Sequence, residues 1–378
     1  MGLRTGAGFF RSESRPSRDL GVLLARGLTA GGPLRVLDLM AGCGIRALRY
    51  GVEAGATELW ANDADGDRRP LMEANLAALP DSCHLRLSSS TAQQLLGACL
   101  RRRRRFELVD LDGFGCPSAL VPLAVEAVAL GGVLYLASTD GRSGTGHDRT
   151  AAVRRLGAAA RAHPASWELA LRLQLGTLAR AAWALGRGVT PLLSFSEGRT
   201  FRTATRINRL PAPGEEQSLG LLAHCHGCGD QQVQPLLRLG RWTACGCGPA
   251  APLAVSGPLW IGPLQHADTL TALRHGAATD PDGMARATGQ LLARLQADPG
   301  IPARCWPTAL IARHLGGGPP PLAALVTALR QLGHRACASG VMAGQLRSDA
   351  PWPVVLATAG ALAGHTGAAY RTEPAHGR

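Results

Sequence analysis

The feature that most constrains the fold is an alternation of short apolar runs with helical segments between Leu34 and Ala137. The predicted strands are Leu34–Asp38, Glu58–Ala61, Cys83–Leu87, Phe106–Leu111 and Val133–Ala137. The predicted helices between them are Ile45–Glu53, Gly66–Leu79, Ala92–Leu100 and Pro117–Leu130. Because neighbouring parallel strands need a crossover, usually a helix, this alternation predicts an α/β fold with a doubly wound, mostly parallel sheet.

Two further strand-like runs, Thr190–Ser196 and Phe201–Ile207, flank Glu197-Gly198-Arg199 and predict a terminal antiparallel hairpin. The Pro/Gly segment 211–214 is typical of a linker. A chain of 378 residues fits two domains. We therefore expect a first domain over residues 1–212 and a second, α+β domain over residues 213–378.

Charge points to an anionic partner. The net charge is +13, and all the cations are Arg, with no Lys. GC-rich codon usage accounts for that bias, but Arg also presents a planar fork that suits phosphate. Residues 142–209 contain 12 Arg and 3 acids. The predicted phosphate-binding residues in this segment are Arg199, Arg202, Arg206 and Arg209.

Other composition features exclude several classes of protein. With 46% hydrophobic and 18% charged residues, the chain is not disordered as a whole. The first ten residues contain no apolar run of signal-peptide length, and the longest apolar stretch is interrupted by Pro122, Glu126 and Gly131-Gly132. We therefore expect a cytoplasmic protein with reduced or metal-bound cysteines, and nothing in the sequence indicates a membrane or an obligate protein partner.

A glycine turn follows the first predicted strand. Asp38 ends that strand, and Gly42 and Gly44 allow the backbone to approach a ligand at the start of the next helix. Asp63, at the end of the second strand, suits a bidentate contact to ribose hydroxyls. The spacing Gly42-x-Gly44-x-x-Ala47 also fits a dinucleotide fingerprint, so a nicotinamide-dependent enzyme remains an alternative.

The fourth strand separates these alternatives. Asp112, Gly113 and Phe114 follow it at the carboxyl edge of the sheet, where ligands bind in such folds. A carboxylate and a backbone carbonyl can accept hydrogen bonds from an exocyclic amine, and an aromatic ring can stack on the base. Methyl transfer to an amine needs this arrangement, whereas hydride transfer has no comparable use for it.

The chain resembles the S-adenosylmethionine-dependent tRNA guanine-N2 dimethyltransferases in motifs spread over most of its length. The similar segments are Phe9-Phe10, residues 17–20, residues 38–46, Asn62-Asp63, residues 110–117, residues 138–140, residues 191–196, residues 257–264 and residues 348–351. The Asp-Leu-Asp segment at 110–112 and the Gly-Pro-Leu-Trp segment at 257–260 are the specific ones. The resemblance implies a Rossmann-like class I methyltransferase domain.

The resemblance also implies an activity and a set of site residues. The family methylates the exocyclic N2 of a guanine at tRNA position 26. The residues implied for S-adenosylmethionine are Arg18, Asp38, Gly42, Gly44, Arg46, Asp63, Thr91 and Ala92. Asp112, the carbonyl of Gly113 and Phe114 are implied to present guanine N2 to the methyl group.

The sequence departs from the family pattern at several of these positions. Gly113 replaces a proline, Thr91 stands where an acid usually contacts the adenine amine, and Ser17 replaces an asparagine. Glu197-Gly198-Arg199 replaces Asp-His-Tyr. A catalytically weakened RNA-binding homologue is therefore a second alternative.

Four cysteines in the second predicted domain have metal-ligand spacing. Cys225 and Cys228 form a C-x2-C pair, and Cys245 and Cys247 form a C-x-C pair sixteen residues later. Two such pairs can bind zinc tetrahedrally through their thiolates. We expect a structural zinc knuckle, since no ligand position is evidently left for water.

Overall fold

The computed structural model describes residues 4–5, 10–247 and 251–363; Phe9 of the predicted aromatic pair lies outside them. Within these residues, seven strands form one sheet. They are β1 (Arg35–Asp38), β2 (Glu58–Asn62), β3 (His84–Ser88), β4 (Phe106–Asp112), β5 (Val128–Ser138), β6 (Gly188–Glu197) and β7 (Thr200–Asn208). The strand order is β3-β2-β1-β4-β5-β7-β6, with β7 antiparallel to both of its neighbours. The predicted doubly wound sheet with a terminal antiparallel hairpin is confirmed.

Helices precede and connect the strands of this sheet. In chain order they are α1 (Arg15–Leu28), α2 (Ile45–Val52), α3 (Arg69–Leu76), α4 (Ala92–Arg101), α5 (Val121–Ala127), α6 (Gly141–Gly144), α7 (Arg149–Leu156) and α8 (Ser166–Ala184). Apolar residues from α1, α2 and α3 pack with those of the central strands into a buried core. Helix α1 was not predicted, although its Leu20, Val22 and Leu24 are buried.

The start of β5 differs from the prediction, because α5 ends at Ala127 and not at Leu130. Gly131 has φ +82°, and a Cβ at Gly132 would lie 2.7 Å from the carbonyl oxygen of Glu107. The pairing register between β4 and β5 shifts at this point. The glycine pair therefore forms an irregularity inside a strand, where it had been expected to separate a helix from a strand.

The remaining elements follow β7. The strands are β8 (Leu219–His224), β9 (Gln231–Pro235), β10 (Ala254–Trp260), β11 (Cys305–Pro307), β12 (Ala336–Ala338) and β13 (Gln345–Ser348). The helices are α9 (Ala267–Ala278), α10 (Arg286–Gln296), α11 (Thr308–Leu315), α12 (Leu322–Gln331) and α13 (Trp352–Leu362). These strands form two small antiparallel sheets, ordered β10-β8-β9 and β11-β13-β12.

The chain divides into two compact units. The first comprises residues 1–141, 177–213 and 265–296, and the second comprises residues 142–176, 214–264 and 297–378. One junction between the units, at 213/214, lies next to the boundary at 212/213 that we expected from the sequence. The two continuous domains, residues 1–212 and 213–378, remain a prediction. Among the described residues, none of the helices has the length and apolarity that a bilayer crossing requires.

In the second unit, a buried ionic network joins α8 to β13. Arg347, with a side-chain exposure of 0%, contacts Glu168 Oε2 and Asp298 Oδ1, each at 2.6 Å. Arg172 donates to Glu168 at 2.8 Å and to the carbonyl of Trp260 at 3.0 Å. Burial raises the pKa of Glu168, but Arg347 and Arg172 outweigh it and lower that pKa to about 2. The carboxylate is therefore charged and depends on its partners.

Replacing Arg347 tests this network. Arg347→Met leaves two buried carboxylates with fewer partners, so we expect the free energy of unfolding to fall by about 3–5 kcal/mol. The control is Arg335→Met, which breaks an exposed ion pair with Asp349 and should cost less than about 1 kcal/mol. Guanidinium chloride unfolding measures both, and equal losses would contradict the prediction.

Candidate functional site

The carboxyl edge of the large sheet carries the glycine turn predicted between β1 and α2. Gly42 and Gly44 have φ values of +57° and +79°, a region that favours glycine. Buried Asp38 accepts a hydrogen bond from the backbone N–H of Ala47 at 3.1 Å, which anchors the first turn of α2. A Cβ at Gly42 would meet no atom within 4 Å, so open space lies over the turn.

Asp63 lies beside this turn, directly after β2. Its Oδ2 accepts a hydrogen bond from the backbone N–H of Gly42 at 2.9 Å. Its neighbour Asn62 donates to the carbonyls of Leu39 at 3.0 Å and Ser90 at 2.9 Å. The Asn62 amide thus ties the ends of three strands together, and the turn and Asp63 face one another as predicted.

Thr91 has a structural role in the described structure. It is the N-cap of α4, where its hydroxyl accepts from the backbone N–H of Gln94 at 3.3 Å and the Gln94 side chain accepts from the Thr91 backbone. Ala92, which follows it, is buried. An exposed hydroxyl engaged in a capping box differs from the acid that the family carries at this position.

A chain of alternating charges occupies the end of β4. Arg46 contacts Asp110 Oδ2 at 3.4 Å and Asp112 Oδ2 at 2.9 Å. Arg202, on β7, donates to the same oxygen of Asp112 at 2.8 Å. Asp110 also accepts a hydrogen bond from the hydroxyl of Tyr50 at 2.5 Å. The two carboxylates of β4 are thus separated by Arg46 and flanked by Arg202.

The charge states differ along this chain. Burial raises the pKa of Asp112, but Arg46 and Arg202 outweigh it and hold that pKa at about 2. Burial raises the pKa of Asp38, and the charge of Asp110 adds to the effect. Burial also raises the pKa of Asp110, opposed by Arg46. The two arginines therefore lower the pKa of Asp112, whereas the pKa values of Asp38 and Asp110 are raised.

The loop after Asp112 projects an aromatic ring. Phe114 is 80% exposed. Gly115, with φ +77°, is held by the end of β5: its N–H donates to the Thr139 hydroxyl at 2.7 Å, and its carbonyl accepts from the Ser138 hydroxyl at 3.1 Å. A fixed loop thus presents an exposed ring next to a carboxylate.

Gly113 lies close to Met40, which follows β1. A Cβ built at Gly113 would overlap the sulfur atom of Met40, which is near the end of a flexible side chain. Proline, the family's residue at this position, carries such a Cβ. A proline here would therefore require Met40 to move.

Arg18, on α1, contacts residues that precede this helix. It donates to the carbonyls of Arg11 at 2.9 Å and Ser12 at 3.3 Å, and its guanidinium lies 4.9 Å from the centre of the Phe10 ring. Burial, with the charges of Arg46 and Arg49, lowers the pKa of Arg18 to about 10, so it remains a cation at neutral pH. The adjacent Asp19 fixes α1 by accepting hydrogen bonds from α2 and from the start of α10.

The predicted phosphate-binding arginines do not lie together. Arg202 is buried against Asp112, so it does not offer the exposed cation that we expected. Because β7 runs antiparallel to β5, Arg206 pairs with Val133 near the opposite edge of the sheet, and exposed Arg209 lies beyond it. Exposed Arg199, in the β6–β7 turn, shares the edge with Asp112.

Sequence reasoning missed several members of the site. Tyr135 lies between the two arginines, its ring centre 5.9 Å from the Arg46 guanidinium and 5.8 Å from that of Arg202. Glu197 accepts from the Ser17 backbone N–H at 3.2 Å. Arg202 itself was predicted, but as a phosphate-binding residue. The sequence signal for its position beside Asp112 was the hairpin, since an antiparallel strand begins at the edge where parallel strands end.

In the second unit, the four predicted cysteines converge. The sulfur atoms of Cys225, Cys228, Cys245 and Cys247 all lie within 4.8 Å of one another. Zinc–sulfur bonds of about 2.3 Å in a tetrahedron require sulfurs roughly this close, so the set fits the ion. A Cβ at Gly227 would lie 2.9 Å from the sulfur of Cys247, which explains the glycine in the first pair.

Two tryptophans fasten this cysteine cluster to the adjoining core. The indole N–H of Trp352 donates to the carbonyl of Cys228, and that of Trp306 donates to the carbonyl of Gly229 at 2.8 Å. The two rings stack with centres 5.3 Å apart and an interplanar angle of 17°. The cysteine cluster is thus attached to β11 and α13.

Comparison with known proteins places this chain among relatives along almost its whole length. It is 29% identical over 361 residues to the tRNA (guanine(26)-N(2))-dimethyltransferase of Thermococcus kodakarensis, covering 92% of this chain and 91% of that protein. It is 30% identical over 296 residues to the human protein of the same name, covering 71% of this chain and 44% of the human one.

A solved structure shares the fold. Trm1 from Pyrococcus horikoshii, determined with S-adenosyl-L-methionine, superposes with a TM-score of 0.80 at 22% identity and covers 95% of this chain and 96% of that chain. The model of the family described as N2,N2-dimethylguanosine tRNA methyltransferase matches residues 5–359. The chain therefore belongs to the N2,N2-dimethylguanosine tRNA methyltransferase family.

Proposed function

We propose that this protein transfers methyl groups from S-adenosylmethionine to the exocyclic N2 of a guanine in tRNA, at position 26. The observation that carries the proposal is Asp112, paired with Arg46 and Arg202 beside exposed Phe114, at the edge of the sheet that holds the glycine turn. The names of the relatives support the choice of tRNA and of position 26.

Asp112 and the carbonyl of Gly113 accept hydrogen bonds from guanine N2, and Phe114 stacks on the base. The N2 lone pair is delocalised into the purine ring, so two acceptors that fix the amine make that pair easier to direct at a methyl group. The N2 pair forms the new N–C bond while the C–S pair returns to sulfur, leaving a thioether. N2 then loses one proton to solvent.

S-Adenosylmethionine supplies an electrophilic methyl group on a sulfonium. The turn at Gly42 and Gly44 brings backbone close to it, and Asp63 contacts the ribose hydroxyls. Arg18 offers a cation for the methionine carboxylate. Arg46 and Asp38 support the site indirectly. The buried side chain of Arg46 contacts Asp112, and that of Asp38 contacts the first turn of α2. Thr91 and Ala92 begin α4 on the adenine side.

The tRNA contacts a basic surface, of which Arg199 lies at the active edge. Arg206 and Arg209 contribute cations further along the hairpin, where they would meet a more distant part of the substrate. We assign a second tRNA-binding domain to residues 213–378, with a structural zinc at the cysteine cluster. A cytoplasmic location completes the proposal.

Removing the Asp112 carboxylate tests the catalytic assignment. Asp112→Ala deletes an acceptor for N2, so we expect methyl incorporation into tRNA to fall by about 100- to 1000-fold while tRNA and S-adenosylmethionine still bind. Asp282→Ala, an exposed carboxylate outside the site, is the control. Full activity of Asp112→Ala would remove Asp112 from the mechanism.

Cofactor choice is tested at Asp63. Asp63→Ala removes both the ribose contact and the bond to Gly42, so we expect S-adenosylmethionine to bind roughly 10- to 100-fold more weakly in calorimetry. Asp65→Ala, which leaves the Gly42 contact intact, should bind normally. A fluorescence titration of the unaltered protein with NADH should give no signal, and binding of NADH would favour the nicotinamide-dependent alternative. If calorimetry detects no binding of S-adenosylmethionine to the unaltered protein, the result would favour a non-catalytic RNA-binding homologue.

The metal assignment predicts one zinc per chain in elemental analysis. Cys228→Ser should release most of that zinc because it removes one of four ligands. Cys116→Ser, which lies outside the cluster, should keep it. The same zinc content in both variants would place the ion elsewhere or exclude it.

A further inference from the structure

Arg202 reaches the active edge through the register of three strands. Asp112 on β4 pairs with Ala137 on β5, and Ala137 pairs with Arg202 on β7. Because Ala137 carries only a methyl group, the long side chain of Arg202 can pass over β5 to the carboxylate. Arg202 is 3% exposed and its Nη2 lies 2.8 Å from Asp112 Oδ2.

The two oxygens of Asp112 have different surroundings. Oδ2 is contacted by both Arg202 and Arg46, at 2.8 Å and 2.9 Å. In the described part of the chain, Oδ1 has neither a hydrogen bond nor an ion pair, and the Asp112 side chain keeps 25% of its surface exposed. The geometry therefore leaves Oδ1 as the oxygen that is available to a substrate.

We propose that Arg202 is a positioning residue for methyl transfer: with Arg46 it holds Oδ2 of Asp112, so that Oδ1 is aimed at the guanine amine and stays an acceptor. This inference rests on the proposed function, in which Asp112 contacts guanine N2. Arg202 does not touch the substrate itself and acts through Asp112.

Arg202 also contacts a second acidic residue, Glu197. Its Nε lies 3.8 Å from Glu197 Oε2, and the other oxygen of Glu197 accepts from the Ser17 backbone N–H. The Ser17 hydroxyl in turn accepts from Arg46 at 3.1 Å. Ser17 and Glu197 are two of the departures from the family pattern, and here they link the two arginines that hold Asp112.

The charge of Arg202, together with that of Arg46, also favours the ionised form of Asp112. The charged and titratable groups around this carboxylate, from every element packed on it, are Asp38 on β1, Asp110 on β4, Arg46 and Tyr50 on α2, Tyr135 on β5, Glu197 on β6, Arg202 on β7 and Arg18 on α1. Burial and Asp110 favour the neutral acid, whereas Arg46 and Arg202 favour the carboxylate. A protonated Asp112 would be a poorer acceptor for N2.

The test compares Arg202→Met, which removes the charge at similar length, with Arg202→Lys, which keeps it. Single-turnover methyl transfer to tRNA is followed from pH 4 to pH 8 with both substrates saturating. The exposed residue Arg286, mutated to Met, is the matched control and should behave as the unaltered enzyme.

For Arg202→Met we expect a rate at pH 8 roughly 10- to 100-fold lower, because the carboxylate is misplaced. We also expect activity to fall with decreasing pH, since loss of one nearby cation raises the pKa of Asp112. Arg202→Lys should regain the flat pH profile and part of the rate, with an unchanged KM for tRNA.

Two results would overturn the inference: a normal rate and pH profile for Arg202→Met, or an equally steep acid loss in Arg202→Lys. If Arg202→Met does not fold, as judged by circular dichroism, Arg202→Lys decides alone, and a loss of its activity with decreasing pH overturns the inference. Asp112→Ala separates the two proposals: if it is active, the proposed function fails, whereas an inactive Asp112→Ala with normal Arg202 variants defeats only the role of Arg202.

Discussion

Two carboxylates, Asp110 and Asp112, stand two residues apart on β4 and therefore point to the same face of the sheet. Their repulsion in a buried site is compensated by Arg46 between them and by Arg202 beyond, at contacts of 2.8–3.4 Å. A buried charge without a partner is costly, so this requirement fixes the position of α2 and of the terminal hairpin. The exposed Phe114 loop then starts from a rigid base.

The same requirement explains why the sheet ends in a hairpin with β7 inserted next to β5. An antiparallel strand at this position starts at the edge where β4 and β5 end, and so delivers Arg202 to Asp112. A further parallel strand would have presented its first residues at the opposite edge. The topology of the sheet and the charge of the site are therefore coupled.

The second unit uses a comparable principle. Arg347 joins Glu168 and Asp298 inside it, and the cysteine cluster is attached to the stacked pair Trp306 and Trp352. Both devices add to the apolar core that β11, β12 and β13 build with α11, α12 and α13. This suits a unit whose proposed task is to present a surface to tRNA.

The sequence by itself determined the order of strands and helices up to β5, the glycine turn, Asp63, the Asp112–Phe114 segment and the cysteine spacing. These features are local: apolar periodicity and turn chemistry are set by residues near one another in the chain. The helix α1 was missed, and the end of α5 was misplaced, because a glycine pair can equally end a helix or interrupt a strand. Only the tertiary structure decided that Arg202 is paired with Asp112 while Arg206 lies far along β7, since that depends on how β5 pairs with β4 and with β7, which brings together residues 90 positions apart. Burial and cross-strand register, which no single segment encodes, made one arginine of the basic segment part of the site and left Arg199 exposed at its edge.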